Sequence, residues 1–117
     1  MRKVGATLSP LHLEQIKDRL RMIGVPGLTV ENVLATSEVL AIHEPDREVI
    51  YRGVSHTSTL GPCVHMEIVV ADNMVESVIN AITLIVRRAE PTEGRITVAP
   101  VEEAFRIRTG EWGEDAL

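Results

Sequence analysis

The chain has 117 residues, a formal net charge of −5 at pH 7, 44% hydrophobic residues and 25% charged residues, which suits one folded domain. Its acidic balance argues against a general nucleic-acid binder, because such proteins carry a surplus of Lys and Arg along the contact face. No apolar run approaches the roughly 20 residues of a membrane span, no signal-peptide pattern opens the chain, and the single cysteine, Cys63, cannot form an intrachain disulfide, so we expect a cytoplasmic protein without membrane insertion.

The first 24 residues predict a strand followed by a helix. Alternating apolar residues indicate a strand over residues 2–8. Ser9 and Pro10 supply an N-cap and a proline at the first helical position. Apolar residues then recur at helical spacing up to a stop at Gly24. They are Leu13, Ile16, Leu20 and Ile23.

The middle of the chain predicts two strands separated by a long loop. Residues 28–40 have the pattern of a strand that becomes irregular towards its end, and a third strand runs from Cys63 to Ala71. Between them, residues 37–61 are polar, charged and rich in turn formers. A loop of this length is uncommon in a compact domain and is usually functional. A long exposed hairpin without a function is the alternative.

The last third predicts a second helix and two further strands. Asp72 is expected to cap a helix that runs to about Arg88. A loop at about 88–95 leads into a fourth strand, Arg95 to Ala99, and residues 105–109 have the alternation of a further short strand.

This order of strand, helix, strand, strand, helix, strand predicts an α+β fold. Both helices can cover the same face of one antiparallel sheet, which is the ferredoxin-like βαββαβ arrangement. The opposite face carries Val69 and Ala99 and is predicted to be too apolar to stay in water. We therefore expect other subunits to cover it, as in a homotrimer.

Three arginines near the end of the chain predict an anion site. Arg106 and Arg108 alternate to one side of the last predicted strand, and Arg95 follows a loop that contains Gly94. Guanidinium forks and backbone amides suit phosphate. On spacing alone, surface ion pairs with the neighbouring glutamates remain the alternative.

Several ordered motifs give the chain a resemblance to the PII nitrogen-regulatory proteins over nearly its whole length. They are residues 24–30, Tyr51-Arg52-Gly53 followed by Pro62, and the phrase Arg-Ile-Arg-Thr-Gly-Glu at 106–111. The resemblance implies one PII-like domain over 1–117 that acts as a trimeric signalling regulator. Its implied parts are a T-loop at about 37–61, a nucleotide loop at about 88–95 and a C-terminal segment at 105–117.

The resemblance also implies that ATP, ADP or AMP binds in clefts between subunits. Thr29, Glu67 and Val69 would meet the adenine, and the arginines would meet the phosphates together with the Gly94 amide. The implied nucleotide-binding residues are Gly27, Thr29, Ser37, Glu67, Val69, Gly94, Arg95, Arg106 and Arg108.

Departures from the family pattern bear on regulation. His56 occupies the position of the tyrosine that many members uridylylate, and Cys63 replaces a lysine that pairs with 2-oxoglutarate. Two glycines and a magnesium-binding glutamine are also replaced, by Ala35, Ser37 and Val39. Losing a metal-binding amide and a carboxylate-binding cation argues against 2-oxoglutarate sensing.

We therefore expect a divergent member tied to transport or inorganic-carbon metabolism that responds to bicarbonate. Its T-loop would contact a target protein, such as a membrane transporter or a carboxysome-related protein.

Two other interpretations stay open, and an enzyme is not predicted. The first is a conventional nitrogen-regulatory PII protein that acts on an ammonium transporter or an enzyme. The second is a metal-binding trimer of the copper-tolerance type built on His56, Cys63 and His65, although a core histidine and a buried thiol are the simpler interpretation. No nucleophile with a partner, metal triad or phosphate-loop motif indicates catalysis.

Overall fold

The computed structural model describes residues 1–36, 47–51, 54–58, 60–88 and 94–117. Its strands are β1 (Arg2–Leu8), β2 (Thr29–Thr36), β3 (Arg47–Tyr51), β4 (Val54–Ser58), β5 (Leu60–Val70) and β6 (Arg95–Pro100). Four of them form one sheet in the order β2-β5-β1-β6, and every neighbouring pair is antiparallel. With one helix after β1 and another after β5, this confirms the ferredoxin-like prediction.

The first helix, α1 (Leu13–Met22), ends as the sequence predicts but begins three residues after the predicted first helical position, Pro10. The Ser9 hydroxyl accepts a hydrogen bond from the Leu11 amide at 3.4 Å, and Pro10 opens a single 3₁₀ turn before α1. Gly24 has a φ of 93°, which a residue with a side chain rarely adopts, and it ends the helix. Within the described residues, no helix has the length and apolar character that crossing a bilayer requires.

The second helix, α2 (Val75–Arg88), follows a 3₁₀ turn at Asp72–Met74, and the predicted cap at Asp72 is wrong. The residue before the turn is Ala71, and no side chain caps it. The Asp72 carboxylate instead pairs with the Met1 α-amino group at 3.0 Å and with Arg2 Nε at 3.7 Å. The end of β5 lies beside the start of β1, so these positive charges hold the carboxylate away from the helix.

The core lies between the helices and one face of the sheet. Apolar residues that alternate along the strands form the sheet side of the core, and apolar residues spaced by about 3.6 positions form the helix side, as the sequence predicts. The buried residues of the sheet are Val4, Ala6, Leu8, Val64, Met66, Ile68 and Val70, and those of the helices are Ile16, Leu20, Val78, Ala81, Ile82 and Ile85.

The segment between β2 and β5 contains more regular structure than the predicted loop over 37–61. β3 and β4 pair antiparallel as a separate two-stranded sheet, with Tyr51 opposite Val54. β5 begins at Leu60, opposite Thr36, which is earlier than the predicted start at Cys63. The β-branched and aromatic residues over 49–51 favour this extended structure. Residues 37–46, 52–53 and 59 lie outside the described residues.

The strand predicted over residues 105–109 is also wrong. A single antiparallel bridge joins Phe105 to Trp112, and residues 107–109 form a turn. Gly110, with a φ of 75°, reverses the chain. The alternation of apolar and charged residues is present, but a strand requires a partner along its length, and the chain folds back on itself too soon to provide one.

Replacing Asp72 with Asn is expected to lower stability at neutral pH. The hydrogen bond and charge of the Met1 amino group, with a smaller contribution from Arg2, hold the pKa of Asp72 below its usual 3.8. A depressed carboxyl pKa stabilises the fold above the usual value, and that contribution is lost as the pH falls through the folded-state pKa. Urea unfolding should therefore separate the wild type from Asp72→Asn at pH 7, and the gap should close in acid.

The matched control for this change is Asp115→Asn, because Asp115 is an exposed aspartate in the C-terminal segment. It should leave urea unfolding unchanged at pH 7. A gap between wild type and Asp72→Asn that persists or widens in acid would contradict the assignment of the Asp72 ion pairs.

Candidate functional site

Arg95 opens β6 beside a surface pocket of about 400 Å³. It is exposed and pairs with Thr7 of β1. Gly94, just before it, has a φ of 155° and is exposed. The pocket has an apolar floor and two arginines at its margin, and its lining includes Leu8, Ile82, Ile96, Arg87, Gly94 and Arg95. The predicted anion position therefore lies at a concave surface, and Arg87 adds a cation that the sequence indicated only as a helix end.

Arg106 is half-buried and is engaged by its own chain. Its Nε donates to the backbone oxygen of Ala116 at 3.1 Å, and its Nη2 donates to that of Leu117 at 2.6 Å. Sequence reasoning did not foresee this contact, because both acceptors are backbone oxygens and no side-chain pattern marks them.

Arg108 is exposed in the turn over residues 107–109. The predicted alternation to one side of a strand therefore does not hold for Arg106 and Arg108. The two remain close in sequence, but Arg106 binds the end of the chain while Arg108 is open to solvent.

Arg95 and the two later arginines belong to different segments of the chain, because Arg95 opens β6 whereas Arg106 and Arg108 follow it in the C-terminal hairpin. β6 runs from Arg95, opposite Thr7, to Pro100, opposite Arg2. At about 3.3 Å per residue this strand separates its ends by about 16 Å. The two later arginines follow the far end, where the Val101 amide donates to the Met1 carbonyl.

The predicted adenine contacts lie on the sheet face opposite the helices. Thr29 of β2 is directly opposite Glu67 of β5, and Val69 of β5 is opposite Lys3 of β1. Gly27 is exposed in the irregular segment that leads into β2. Ser37 lies outside the described residues.

A polar network occupies the centre of this face. Glu67 Oε1 lies 3.7 Å from Lys3 Nζ and 3.4 Å from His65 Nε2, and His65 Nδ1 is 2.9 Å from the Thr7 hydroxyl. A Cβ at Gly5 would lie 3.1 Å from Thr97 Oγ1 and 3.6 Å from the His65 ring, so the glycine leaves room for both side chains.

The face predicted to be apolar is therefore mixed. Val69 and Ala99 are only partly buried, as expected, but Lys3, His65 and Glu67 stand between the apolar positions. The alternation of His65 and Glu67 along β5 was a visible signal of this network, whereas the contribution of Lys3 required the strand register.

Two of the three predicted metal ligands, Cys63 and His65, lie on β5. Cys63 is 3% exposed on β5 opposite Val33, and His65 is engaged with Thr7. Within the part of the chain that the structure describes, no group of three His, Cys, Asp or Glu side chains could hold a metal ion. His56 belongs to β4, and its part in the metal hypothesis stays a prediction.

A family model described as nitrogen regulatory protein P-II matches residues 1–111. The chain belongs to the P-II family. It is 38% identical to the nitrogen regulatory protein P-II of Cereibacter sphaeroides over 117 residues, with all of both chains covered. It is 37% identical to P-II 1 of Methanothermobacter thermautotrophicus, which it covers to 97%, and 34% identical to P-II of Azospirillum brasilense, with both chains fully covered.

P-II membership confirms the resemblance on which the sequence interpretation rested and makes the chain a member of a family of signalling regulators. The comparison also extends through the Arg-Ile-Arg-Thr-Gly-Glu phrase, because residues 106–111 lie within the matched range. In this P-II chain, the Cys63 side chain is buried.

Proposed function

We propose that this P-II chain is a trimeric regulator that binds an adenine nucleotide, ATP, ADP or AMP, between adjacent copies. Arg95 and the Gly94 amide of one copy and Arg106 with Arg108 of the next would hold the phosphates. The observation that supports the proposal is that the cations are divided between two segments of the chain, with Arg95 at the start of β6 and Arg106 and Arg108 in the hairpin after it. Cyclic association supports it, since head-to-tail packing sets one end of a chain against the other end of its neighbour.

The adenine would rest on the sheet face opposite the helices. Thr29 and Glu67 are neighbours there, and the Glu67 carboxylate is a natural acceptor for an exocyclic amino group. Val69 would supply apolar contact to the base. This face is partly exposed in the single chain and carries no helix, so it is available to a ligand and to other copies.

The output would pass through the T-loop to a target protein. Nucleotide binding would shift the T-loop between conformations that bind or release the target. Glu44, Asp46 and Glu48 make the T-loop acidic, which favours a basic surface on the target. A membrane transporter or a carboxysome-related protein fits this role.

The identity of the small effector distinguishes two versions of this function, inorganic-carbon regulation and conventional nitrogen control. A buried thiol at Cys63 cannot pair with a carboxylate as a lysine would, which argues against 2-oxoglutarate and leaves bicarbonate as the effector of the inorganic-carbon version. The relatives are named nitrogen regulatory proteins, which favours conventional nitrogen control through an ammonium transporter or an enzyme.

Titration calorimetry with ATP, ADP and AMP tests the proposal directly. Each nucleotide is titrated alone, with bicarbonate, and with magnesium and 2-oxoglutarate. Heat with at least one nucleotide is expected, and its absence with all three would reject the nucleotide-binding function. Affinity that changes with bicarbonate supports the inorganic-carbon version, whereas a change with 2-oxoglutarate supports the nitrogen version.

A further inference from the structure

The C-terminal segment forms a compact hairpin that contains Arg106. The Arg106 amide donates to the Glu111 carbonyl at 2.9 Å, and the Gly110 amide donates to the Arg106 carbonyl at 2.8 Å. Phe105 and Trp112 pack with ring centroids 4.7 Å apart. Two backbone hydrogen bonds of Arg106 and the packing of the two neighbouring rings therefore hold the hairpin closed.

The last five residues, 113–117, form a short tail that turns back towards this hairpin. Gly113 has a φ of 68°, and its amide donates to the Ala104 carbonyl at 2.9 Å. A 3₁₀ turn over Gly113–Ala116 follows, and the Leu117 amide donates to the backbone carbonyl of Glu114. Backbone oxygens at the end of such a turn have no later amide within the turn to bind, so they are open to water or to another donor.

Arg106 is that donor. Nε and Nη2 are the two adjacent nitrogens of one edge of its guanidinium group, and they donate to the Ala116 and Leu117 oxygens at 3.1 and 2.6 Å. A phosphate uses the same kind of edge when it binds an arginine through two parallel hydrogen bonds. Glu114 and Asp115 in the tail add negative charge that opposes an approaching phosphate.

We propose that the tail is a built-in competitor for phosphate at Arg106. The inference rests on the proposed nucleotide site and adds regulation to it. With the tail docked, its backbone oxygens occupy the guanidinium edge that a phosphate requires. Phosphate binding releases the tail, and by linkage any event that releases the tail strengthens phosphate binding by the same factor.

Deleting residues 113–117 is the direct test. The deletion should tighten ATP binding by about tenfold, because a hydrogen bond to a charged group changes an equilibrium constant by about that factor or more. Asp115→Asn keeps the backbone acceptors and should shift the affinity far less. In an Arg106→Ala background the deletion should tighten binding much less, since the two changes remove the same contact and only the charges of Glu114 and Asp115 are left to lose.

A second variant and a second measurement guard against a deletion that disturbs the hairpin. Gly113→Val keeps the full length but strains the positive φ, so it should loosen the tail and also tighten ATP binding. Unchanged or weaker binding in both variants would overturn the inference. In the wild type, amide hydrogen exchange at Gly113 and Leu117 should accelerate when ATP or tripolyphosphate is added.

The two probes distinguish failure of this inference from failure of the nucleotide function. Faster amide exchange with tripolyphosphate, without binding of any nucleotide, would support competition by the tail and reject the nucleotide-binding function. Nucleotide binding with unchanged exchange at both amides would support the nucleotide-binding function and reject competition by the tail. No binding of either probe and no change in exchange would reject both.

Discussion

Arg95→Ala and Arg108→Ala are each expected to weaken ATP binding by about 100-fold. Hydrogen bonds to a charged group contribute about 1.5–3 kcal/mol, and 1.4 kcal/mol corresponds to a factor of ten. Each arginine is exposed in the single chain, so removing it should leave the fold intact. The measurement is calorimetry with ATP on each purified variant, after circular dichroism has shown an unchanged fold.

Arg19→Ala is the matched control for both changes. Arg19 is an exposed arginine on α1, so its replacement removes the same charge from a surface distant in sequence from the proposed site. ATP affinity close to that of the wild type is expected. Losses of equal size in all three variants would show that the net charge of the chain, rather than two specific arginines, governs binding.

Met66→Ala is expected to lower the free energy of unfolding by about 2–5 kcal/mol, the range for a buried methionine cut back to alanine. Met66 is fully buried at the centre of the sheet, between Ala6 of β1 and Val30 of β2. Small sheet neighbours cannot fill the space that the side chain leaves, so a cavity adds to the lost burial. Urea unfolding followed by far-ultraviolet circular dichroism measures the change.

Met22→Ala provides the same chemical change at a surface position. Met22 is 77% exposed at the end of α1, and its replacement should change the free energy of unfolding by less than about 0.5 kcal/mol. Both variants are compared at one protein concentration, because association stabilises the folded chain. Equal effects at the two positions would contradict the described core.

The fold was predictable because burial follows simple periods along this chain. Val4, Ala6 and Leu8 alternate along β1, while Ile16 and Leu20 recur one turn apart on α1, and all five are buried. With few aromatic residues, the core depends on branched aliphatic side chains whose spacing directly reflects strand or helix.

The errors occurred where long-range pairing overrides local pattern. Aspartate is a residue type that often caps helices, but the register of β1 against β5 brings the Met1 amino group to the Asp72 carboxylate. Residues 105–109 alternate as a strand does, but Phe105 meets Trp112 across a tight turn. Local sequence carries no information about such partners until the topology is known.

The candidate site was predictable in its residue types and only partly in its arrangement. The arginines stood out against an acidic composition, but the turn that carries Arg108 and the contact of Arg106 with the tail depend on the fold. The network around Glu67 likewise needed the neighbouring strand to bring in Lys3.

The central claim is that one nucleotide site combines Arg95 of one copy with Arg108 of another. Mixing Arg95→Ala and Arg108→Ala chains before assembly tests this claim most directly. In a random mixed trimer about a quarter of the interfaces pair an intact Arg95 with an intact Arg108, because each of the two chains must be of one specified type.

Calorimetry on the mixture should therefore recover about a quarter of the wild-type number of ATP sites at wild-type affinity. A parallel mixture of Arg95→Ala with the double variant Arg95→Ala/Arg108→Ala should recover none, since no chain in it retains Arg95. Binding in the first mixture that stays as weak as in either variant alone would show that the two arginines do not meet across an interface, and would contradict the account.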